Sequence, residues 1–232
     1  LAHVIFYSFN SSRIATIWEH FSTKWYIKTL QNDDMQRALK NSLQIATVAT
    51  VLSTVLALMA ALGLVRMSRA GSAVAWALIG APLIIAEVVL AVGTLGFFIF
   101  VGLPLGKMSM MLAHTAFCLP FALLPMRARL GQLDVAPFEA AADLGANERQ
   151  ILRRITLPLL SPAIVSGALL AFAISIDDFI SSFFLSGPAS TTLPVYIFGM
   201  IRSTVTPEVD AISTLLLLFS GIVLISSYVL ER

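Results

Sequence analysis

Charged residues are scarce in this sequence. Only 12% of its 232 residues are Asp, Glu, Lys or Arg, whereas 58% are hydrophobic, and the mean hydropathy is +0.88. Soluble domains carry about 25% charged and roughly 45–50% apolar residues. Because so few charges cannot cover a soluble body of this size, the excess apolar surface must face lipid. The composition therefore indicates an integral membrane protein.

Several other features are absent, and each absence excludes a class of site. Cys118 is the only cysteine, which excludes a disulfide framework and a cysteine-based metal site. The net charge is +2 and no run of five or more basic residues occurs, so the charge pattern does not indicate nucleic-acid binding. The sequence has no G-x-x-x-x-G-K-[ST] phosphate-binding loop, so any ATP that drives this chain must bind elsewhere.

Long apolar stretches predict membrane-spanning helices, each of which needs about 20 predominantly apolar residues. Five stretches meet or approach this length: Leu39–Val65, Val74–Val101, Met108–Met126, Pro162–Leu185 and Ala211–Leu230. We expect Leu1–Phe9 to be the end of an earlier helix, which gives six spans in the intact protein. Between Leu1–Phe9 and Leu39–Val65, the aromatic residues of Asn10–Gln36 favour a segment that lies on the outer membrane surface.

The loop between the third and fourth of these stretches has the most informative local pattern. Glu139–Leu144 is a strong helix former, Pro137 is placed where a first helical turn tolerates proline, and Gly145 is a typical residue for ending a helix. Asn147 predicts the start of a second short helix, and Leu157-Pro158 predicts its end. Arginines cluster at both ends of this loop, as in cytoplasmic loops. Composition alone leaves an ordinary cytoplasmic loop as the alternative.

The spacing within this loop matches a known family pattern. Glu-Ala-Ala, three residues, Gly, nine residues and Ile-x-Leu-Pro are found at Glu139, Ala140, Ala141, Gly145, Ile155, Leu157 and Pro158. The chain therefore resembles the permease subunits of binding-protein-dependent ABC importers. It is most similar to the second permease of spermidine/putrescine systems, the PotC/PotI type. The strings that narrow the resemblance are Tyr7–Ser12, Thr23–Tyr26, His114–Pro120, Asp143–Ala146, Ser175–Asp178, Ser186–Pro188 and Pro207–Ala211.

The resemblance implies an all-α, type I ABC importer transmembrane domain in the bacterial inner membrane. It implies a single domain over residues 1–232, in which the loop 132–158 couples to an ATPase. Glu139–Gly145, including Asp143 and Leu144, would form the coupling helix that fits a groove of that ATPase. The implied partners are a second related permease, two ATP-binding subunits that hold Mg-ATP, and a periplasmic substrate-binding protein. The chain itself is expected to need no cofactor or metal and to catalyse no covalent step.

Three acidic residues fall within predicted spans: Glu87, Asp177 and Asp178. A carboxylate at the centre of a membrane helix costs about 2.5–3.5 kcal/mol, so such groups usually face a cavity or a partner. We expect them to line a path for a cationic polyamine, with one aspartate at most facing it, because adjacent helical residues point about 100° apart. An ion pair with the second permease, or a shallow position, is the alternative. For His114, we expect a hydrogen bond to a neighbouring helix.

Other functions remain as alternatives. The same type of permease could carry an opine, an aminophosphonate or an amino-acid-like solute, since acids in the path do not exclude zwitterions. An intramembrane aspartyl enzyme would need two carboxyl groups that converge on one water, whereas adjacent positions on one helix diverge. A stand-alone secondary carrier would be expected to show matching halves with interrupted helices, and no such match is found.

Overall fold

The computed structural model describes residues 2–12, 19–203 and 207–231, and these residues are almost entirely helical. The twelve helices, numbered α1 to α12 in chain order, are Ala2–Tyr7, Lys24–Leu30, Asp33–Arg66, Arg69–Gly80, Glu87–Val101, Lys107–Leu130, Ala136–Asp143, Glu148–Ile151, Leu157–Asp177, Ile180–Leu185, Leu193–Ser203 and Pro207–Glu231. A short 3₁₀ turn follows α4 at Ala81–Leu83, and a π-helical turn, Leu152–Thr156, joins α8 to α9.

The long helices α3, α6 and α9 pack against one another and form the centre of the bundle. Their contact surfaces are rich in small residues, such as the fully buried Ala46, Ala49 and Ala57 of α3. Helices α6 and α9 cross closely, because a Cβ atom added to Gly167 would lie 2.5 Å from the carbonyl oxygen of Ala122. Small residues let helix backbones approach closely, which is the main source of packing energy where lipid surrounds the bundle.

Within the described residues, three helices are long and apolar enough to cross a membrane: α3, α6 and the continuous helix Glu148–Asp177. A fourth candidate is a broken pair, Arg69–Leu83 and Glu87–Val101, whose two parts are bent by 104°. The predicted span Val74–Val101 is therefore not one continuous helix. Pro82 lies at the break, and a proline cannot supply the N–H group that a continuing helix requires.

The predicted span Pro162–Leu185 is also interrupted. Helix α9 ends at Asp177, Asp178 has an extended backbone with φ −65 and ψ 110, and the short helix α10 follows. The final predicted span lies within α12, which has 25 residues.

The segment predicted to lie on the outer surface is a folded cap. Trp25 of α2 is buried, and its Nε1 atom donates a hydrogen bond of 2.8 Å to the carbonyl oxygen of Asn10. The exposed aromatic residue of this cap is Phe21, which stacks on Phe9 with 5.1 Å between ring centroids. Trp18, another aromatic of the predicted surface segment, lies outside the described residues. The cap closes the end of the bundle opposite the coupling loop.

Candidate functional site

The loop end of the bundle carries α7, the helix that contains the Glu-Ala-Ala sequence. Pro137 lies in its first turn, and Gly145 has φ +79 just beyond its end. The N–H of Gly145 donates to the carbonyl oxygen of Ala142, and the N–H of Ala146 donates to that of Ala141, both at 2.9 Å. This pair of hydrogen bonds is the Schellman motif, which requires a left-handed residue and so favours glycine. The predictions that Pro137 starts this helix and that Gly145 ends it are confirmed.

The predicted docking residues of α7 are open to solvent. Glu139, Ala140 and Asp143 are exposed, Leu144 is 89% exposed, and Ala141 is half-buried. A leucine with so much exposed surface gains almost no burial energy within its own chain. The face of α7 that carries these residues is therefore available to another protein.

The helix that follows, α8, is capped as predicted and is tied to the bundle. Asn147 Oδ1 accepts from the N–H of Gln150 at 2.9 Å, and Gln150 Oε1 accepts from the N–H of Asn147 at 2.8 Å, which forms a capping box. Glu148 pairs with Arg66 at the end of α3, with 3.1 Å between the charged atoms. Both side chains are mostly exposed, so this ion pair contributes at most about 1 kcal/mol.

The prediction that Leu157-Pro158 ends the second helix is wrong. The π-helical turn Leu152–Thr156, which includes the half-buried Ile155, continues directly into α9. The N–H of Leu157 donates to the carbonyl oxygen of Leu152, five residues earlier. This wider turn ends just before Pro158, which has no N–H to donate, and the helix passes through the proline. As a result, α8 and α9 form one continuous helix, Glu148–Asp177.

At the other end of that helix, Asp178 lies in the break between α9 and α10. Its side chain is 1% exposed, and its Oδ1 atom accepts a hydrogen bond of 2.9 Å from the N–H of Ser181. An aspartate that accepts from such an N–H competes with continuation of the helix and starts the next one. The predicted span is therefore broken at Asp178, and Asp177 is the last residue of α9. Asp177 is exposed, so the two adjacent aspartates do point to different surroundings.

His114 of α6 contacts both sides of this break. Its Nδ1 atom is 2.8 Å from Ser175 Oγ of α9, and its Nε2 atom is 3.3 Å from Ser182 Oγ of α10. The expected hydrogen bond to a neighbouring helix is confirmed. Nε2 is also 3.3 Å from Asp178 Oδ2, but the two atoms do not form a hydrogen bond. Asp178 Oδ2 is thus buried without a hydrogen-bond donor among the described residues.

Glu87 brings a second carboxyl group to this position from the start of α5. Its side chain is half-buried and lies near enough to Asp178 for the two carboxyl groups to interact. His114 lies seven residues after Lys107, the first residue of α6, which is roughly 10 Å along the helix at 1.5 Å per residue. The cluster therefore lies roughly 10 Å from that end of α6. The structure therefore brings Glu87 and Asp178 together with His114, whereas Asp177 is exposed.

Sequence reasoning did not identify Ser175, Ser181 and Ser182 as members of the cluster. Their signal is the local pattern Ser-Ile-Asp-Asp-Phe-Ile-Ser-Ser, in which Asp178 stands three residues before Ser181. An aspartate at this spacing is a typical helix cap. That pattern was hidden because the apolar run Pro162–Leu185 is long enough to be interpreted as one unbroken span.

Two transport proteins are similar in sequence to this chain over nearly its whole length. The putrescine transport system permease protein PotI of Escherichia coli is 40% identical over an alignment 237 residues long, which covers 99% of this chain and 84% of PotI. The spermidine/putrescine transport system permease protein PotC of E. coli is 37% identical over 225 residues, which cover 97% of this chain and 85% of PotC.

The fold is shared with a solved transporter. A bacterial ABC transporter involved in the import of the acidic polysaccharide alginate matches with a TM-score of 0.73 at 16% sequence identity, over 98% of this chain and 87% of that one. Residues 53–232 match the family described as binding-protein-dependent transport system inner membrane component. This chain belongs to that family and is a permease subunit of an ABC importer.

Proposed function

We propose that this chain moves polyamines inward across the bacterial inner membrane, driven by ATP hydrolysis on partner subunits. The observation that carries this proposal is the 37–40% identity, over 97% or more of the chain, to two permeases named for spermidine and putrescine transport. The fold alone would not indicate a polyamine substrate, because a transporter of an acidic polysaccharide shares the same fold.

The chemistry of the intramembrane cluster supports a cationic substrate. Glu87 and Asp178 lie near enough to each other for their carboxyl groups to interact, and Asp178 Oδ2 is buried 3.3 Å from His114 Nε2. Two carboxylates held close together inside a protein repel each other. A proton or an ammonium group between them removes that repulsion. A polyamine supplies such a group, with three N–H donors on each terminal nitrogen.

The proposed mechanism is alternating access driven through α7. Exposed Glu139–Gly145 would bind a groove of the ATP-binding subunit, with Glu139 available to pair with a basic group there. Movement of this loop would pass along the continuous helix Glu148–Asp177, which is roughly 45 Å long at 1.5 Å per residue. That helix ends beside Asp178, so displacement at the cytoplasmic end would shift the carboxyl cluster. A rigid helix transmits such a displacement, whereas a flexible loop would absorb it.

The proposed partners are a second related permease, two ATP-binding subunits that hold Mg-ATP, and a periplasmic binding protein that delivers the substrate. The matched family is defined by its dependence on a binding protein, which supports the last of these. In this assembly the chain provides the path and the docking helix, and the ATPase subunits carry out the hydrolysis.

The proposal is tested by uptake of labelled spermidine and putrescine into membrane vesicles that contain the complete transporter. Glu87→Gln is expected to lower the rate of uptake about tenfold, because a hydrogen bond to a charged group contributes about 1.5–3 kcal/mol. Asp33→Asn is the matched control, since it removes one exposed carboxylate at the outer end of α3. Equal uptake by the Glu87 variant and wild type would mean that this acid is not in the path.

The same assay separates the proposed substrate from the other solutes. Wild-type vesicles that accumulate an opine, an aminophosphonate or an amino acid but no polyamine would overturn the substrate assignment. The family membership would be unaffected by that result.

A further inference from the structure

A cavity of about 690 Å³ lies between the coupling loop and the ends of α3 and α6. Its lining is mostly apolar and includes Leu62, Leu130, Leu133, Phe138, Ile151 and Leu152. Packed proteins leave few voids larger than a water molecule, and water in an apolar cavity lacks hydrogen-bond partners. We propose that this loop cavity binds a phospholipid whose zwitterionic head group carries a primary ammonium, as in phosphatidylethanolamine.

An exposed apolar stripe runs along α3 to the loop cavity. Val55 and Met59 are 52% and 65% exposed. Leu62 and Arg66, which line the cavity, follow Met59 at successive spacings of three and four residues, so all four residues share one face of the helix. Because α3 is long and apolar enough to cross the membrane, an acyl chain can lie along this stripe. Its head group would then lie near Arg66, the last residue of the helix.

The charged residues that line the loop cavity carry both signs. Arg66 and Glu148 form the ion pair with 3.1 Å between the charged atoms, so they satisfy each other. Arg149 and Asp134 are exposed at the rim, and neither forms a salt bridge within the described part of the chain. Asp134 Oδ1 accepts a hydrogen bond of 3.2 Å from the N–H of Ala136, which leaves Oδ2 for a further donor.

This pair of charges matches a zwitterionic head group. A guanidinium group can donate two parallel hydrogen bonds to a phosphate, which assigns the phosphate to Arg149. A primary ammonium group has three N–H donors, and Asp134 offers it a carboxylate oxygen. A head group with a single charge would leave one of these two side chains without a partner.

The residues expected to bind the ATP-binding subunit lie on another part of α7. Glu139 and the following Leu144 are exposed and do not line the loop cavity, whereas the half-buried Phe138 does. Docking through the exposed face of α7 therefore does not require this cavity. A bound lipid fills the space between Phe138 of the loop and Leu62 of α3, so it supports the docking helix against the bundle.

The site can be tested by titrating the purified complex of permease and ATP-binding subunits with dioleoyl phospholipids and counting bound lipid by native mass spectrometry. Wild type should bind phosphatidylethanolamine about tenfold more tightly than phosphatidylcholine, whose quaternary ammonium has no N–H donor. The same preference should hold over phosphatidylglycerol, which has no cation. Asp134→Asn keeps the acceptor for Ala136 and removes the charge, so it should abolish the preference over phosphatidylcholine without weakening phosphatidylcholine binding. Arg149→Gln removes the phosphate contact and should weaken all three lipids about tenfold.

Two further variants separate the cavity from general surface charge. Gly63 lines the cavity, and an added Cβ atom would have no neighbour within 4 Å, so a larger side chain can enter the space. Gly63→Leu should therefore fill the cavity and weaken all three lipids about tenfold or more, without lowering the Tm. Arg153→Gln is the matched control for Arg149→Gln, since Arg153 is exposed four residues later and does not line the cavity.

The lipid site is overturned if wild type binds the three lipids equally, or if Asp134→Asn keeps the wild-type preference. It is also overturned if Arg153→Gln weakens binding as much as Arg149→Gln, or if Gly63→Leu binds phosphatidylethanolamine like wild type. A photo-crosslinking side chain introduced at Leu62 gives an independent result. Labelled phospholipid supports the site, whereas labelling of the second permease or of the ATP-binding subunit in place of lipid would assign the cavity to a protein contact and overturn it.

Discussion

Gly145 allows the docking geometry to be tested by a change that adds only one methyl group. Its φ of +79 lies in the left-handed region, and no heavy atom outside the local backbone is within 4 Å of an added Cβ atom. The cost of Gly145→Ala therefore comes from the backbone alone, about 1–2 kcal/mol for a residue with a side chain in this conformation. That cost lowers the ratio of native to non-native turn by a factor of about 5–30. If the ATPase binds only the native turn, its Kd for the permease should rise by up to the same factor.

The assay is the Kd between the purified permease pair and the ATP-binding subunit, measured in nanodiscs. Gly145→Asn should fall between wild type and Gly145→Ala, because asparagine tolerates the left-handed region better than alanine does. Gly131→Ala is the matched control: this glycine ends α6 in the same loop with φ −70, and an added Cβ atom would be 3.6 Å from its nearest neighbour. Equal Kd values for the Gly145→Ala and Gly131→Ala variants would refute the claim that the left-handed turn positions the docking helix.

Two further predictions concern the docking face and the bundle. Glu139→Lys should abolish ATP-driven uptake while the chain still inserts, because it reverses the charge offered to the ATPase; unchanged uptake in vesicles would reject the docking role. Gly167→Val should lower the Tm of the detergent-purified complex, since its Cβ atom would lie 2.5 Å from the carbonyl oxygen of Ala122, and overpacking typically costs about 1–3 kcal/mol. Gly93→Val, whose Cβ atom would have no neighbour within 4 Å, should leave the Tm nearly unchanged, and an equal loss in both variants would contradict the packing argument.

Local chemistry predicted the coupling loop well. Pro137, Gly145 and Asn147 each act within one helical turn, so the residue type alone determines what the backbone does there. The end of the second helix was predicted wrongly for a related reason. Pro158 is a strong local signal against a helix, but a π-helical turn in the preceding residues removes the conflict. Propensity rules for single residues do not include that adjustment.

The intramembrane site was only partly predictable. A carboxylate in an apolar stretch is conspicuous, so Glu87, Asp177 and Asp178 could be singled out from the sequence. Their arrangement around the helix breaks could not, because hydropathy measures the length of an apolar run and is insensitive to the size of a bend within it, here 104°. The association of Glu87 with Asp178 and His114 depends on the packing of α5, α6 and α10, and no short pattern in the sequence encodes those contacts.

The most direct test of the central claim is ATP-dependent accumulation of labelled spermidine in liposomes. The vesicles would contain this chain with its partner permease and the ATP-binding subunits, together with the binding protein on the opposite side from ATP. Our account predicts accumulation that requires ATP and the binding protein and that disappears when the ATP-binding subunits are omitted. Spermidine accumulation by this chain alone, without the ATP-binding subunits, would contradict it, as would a complete complex that hydrolyses ATP but accumulates no polyamine.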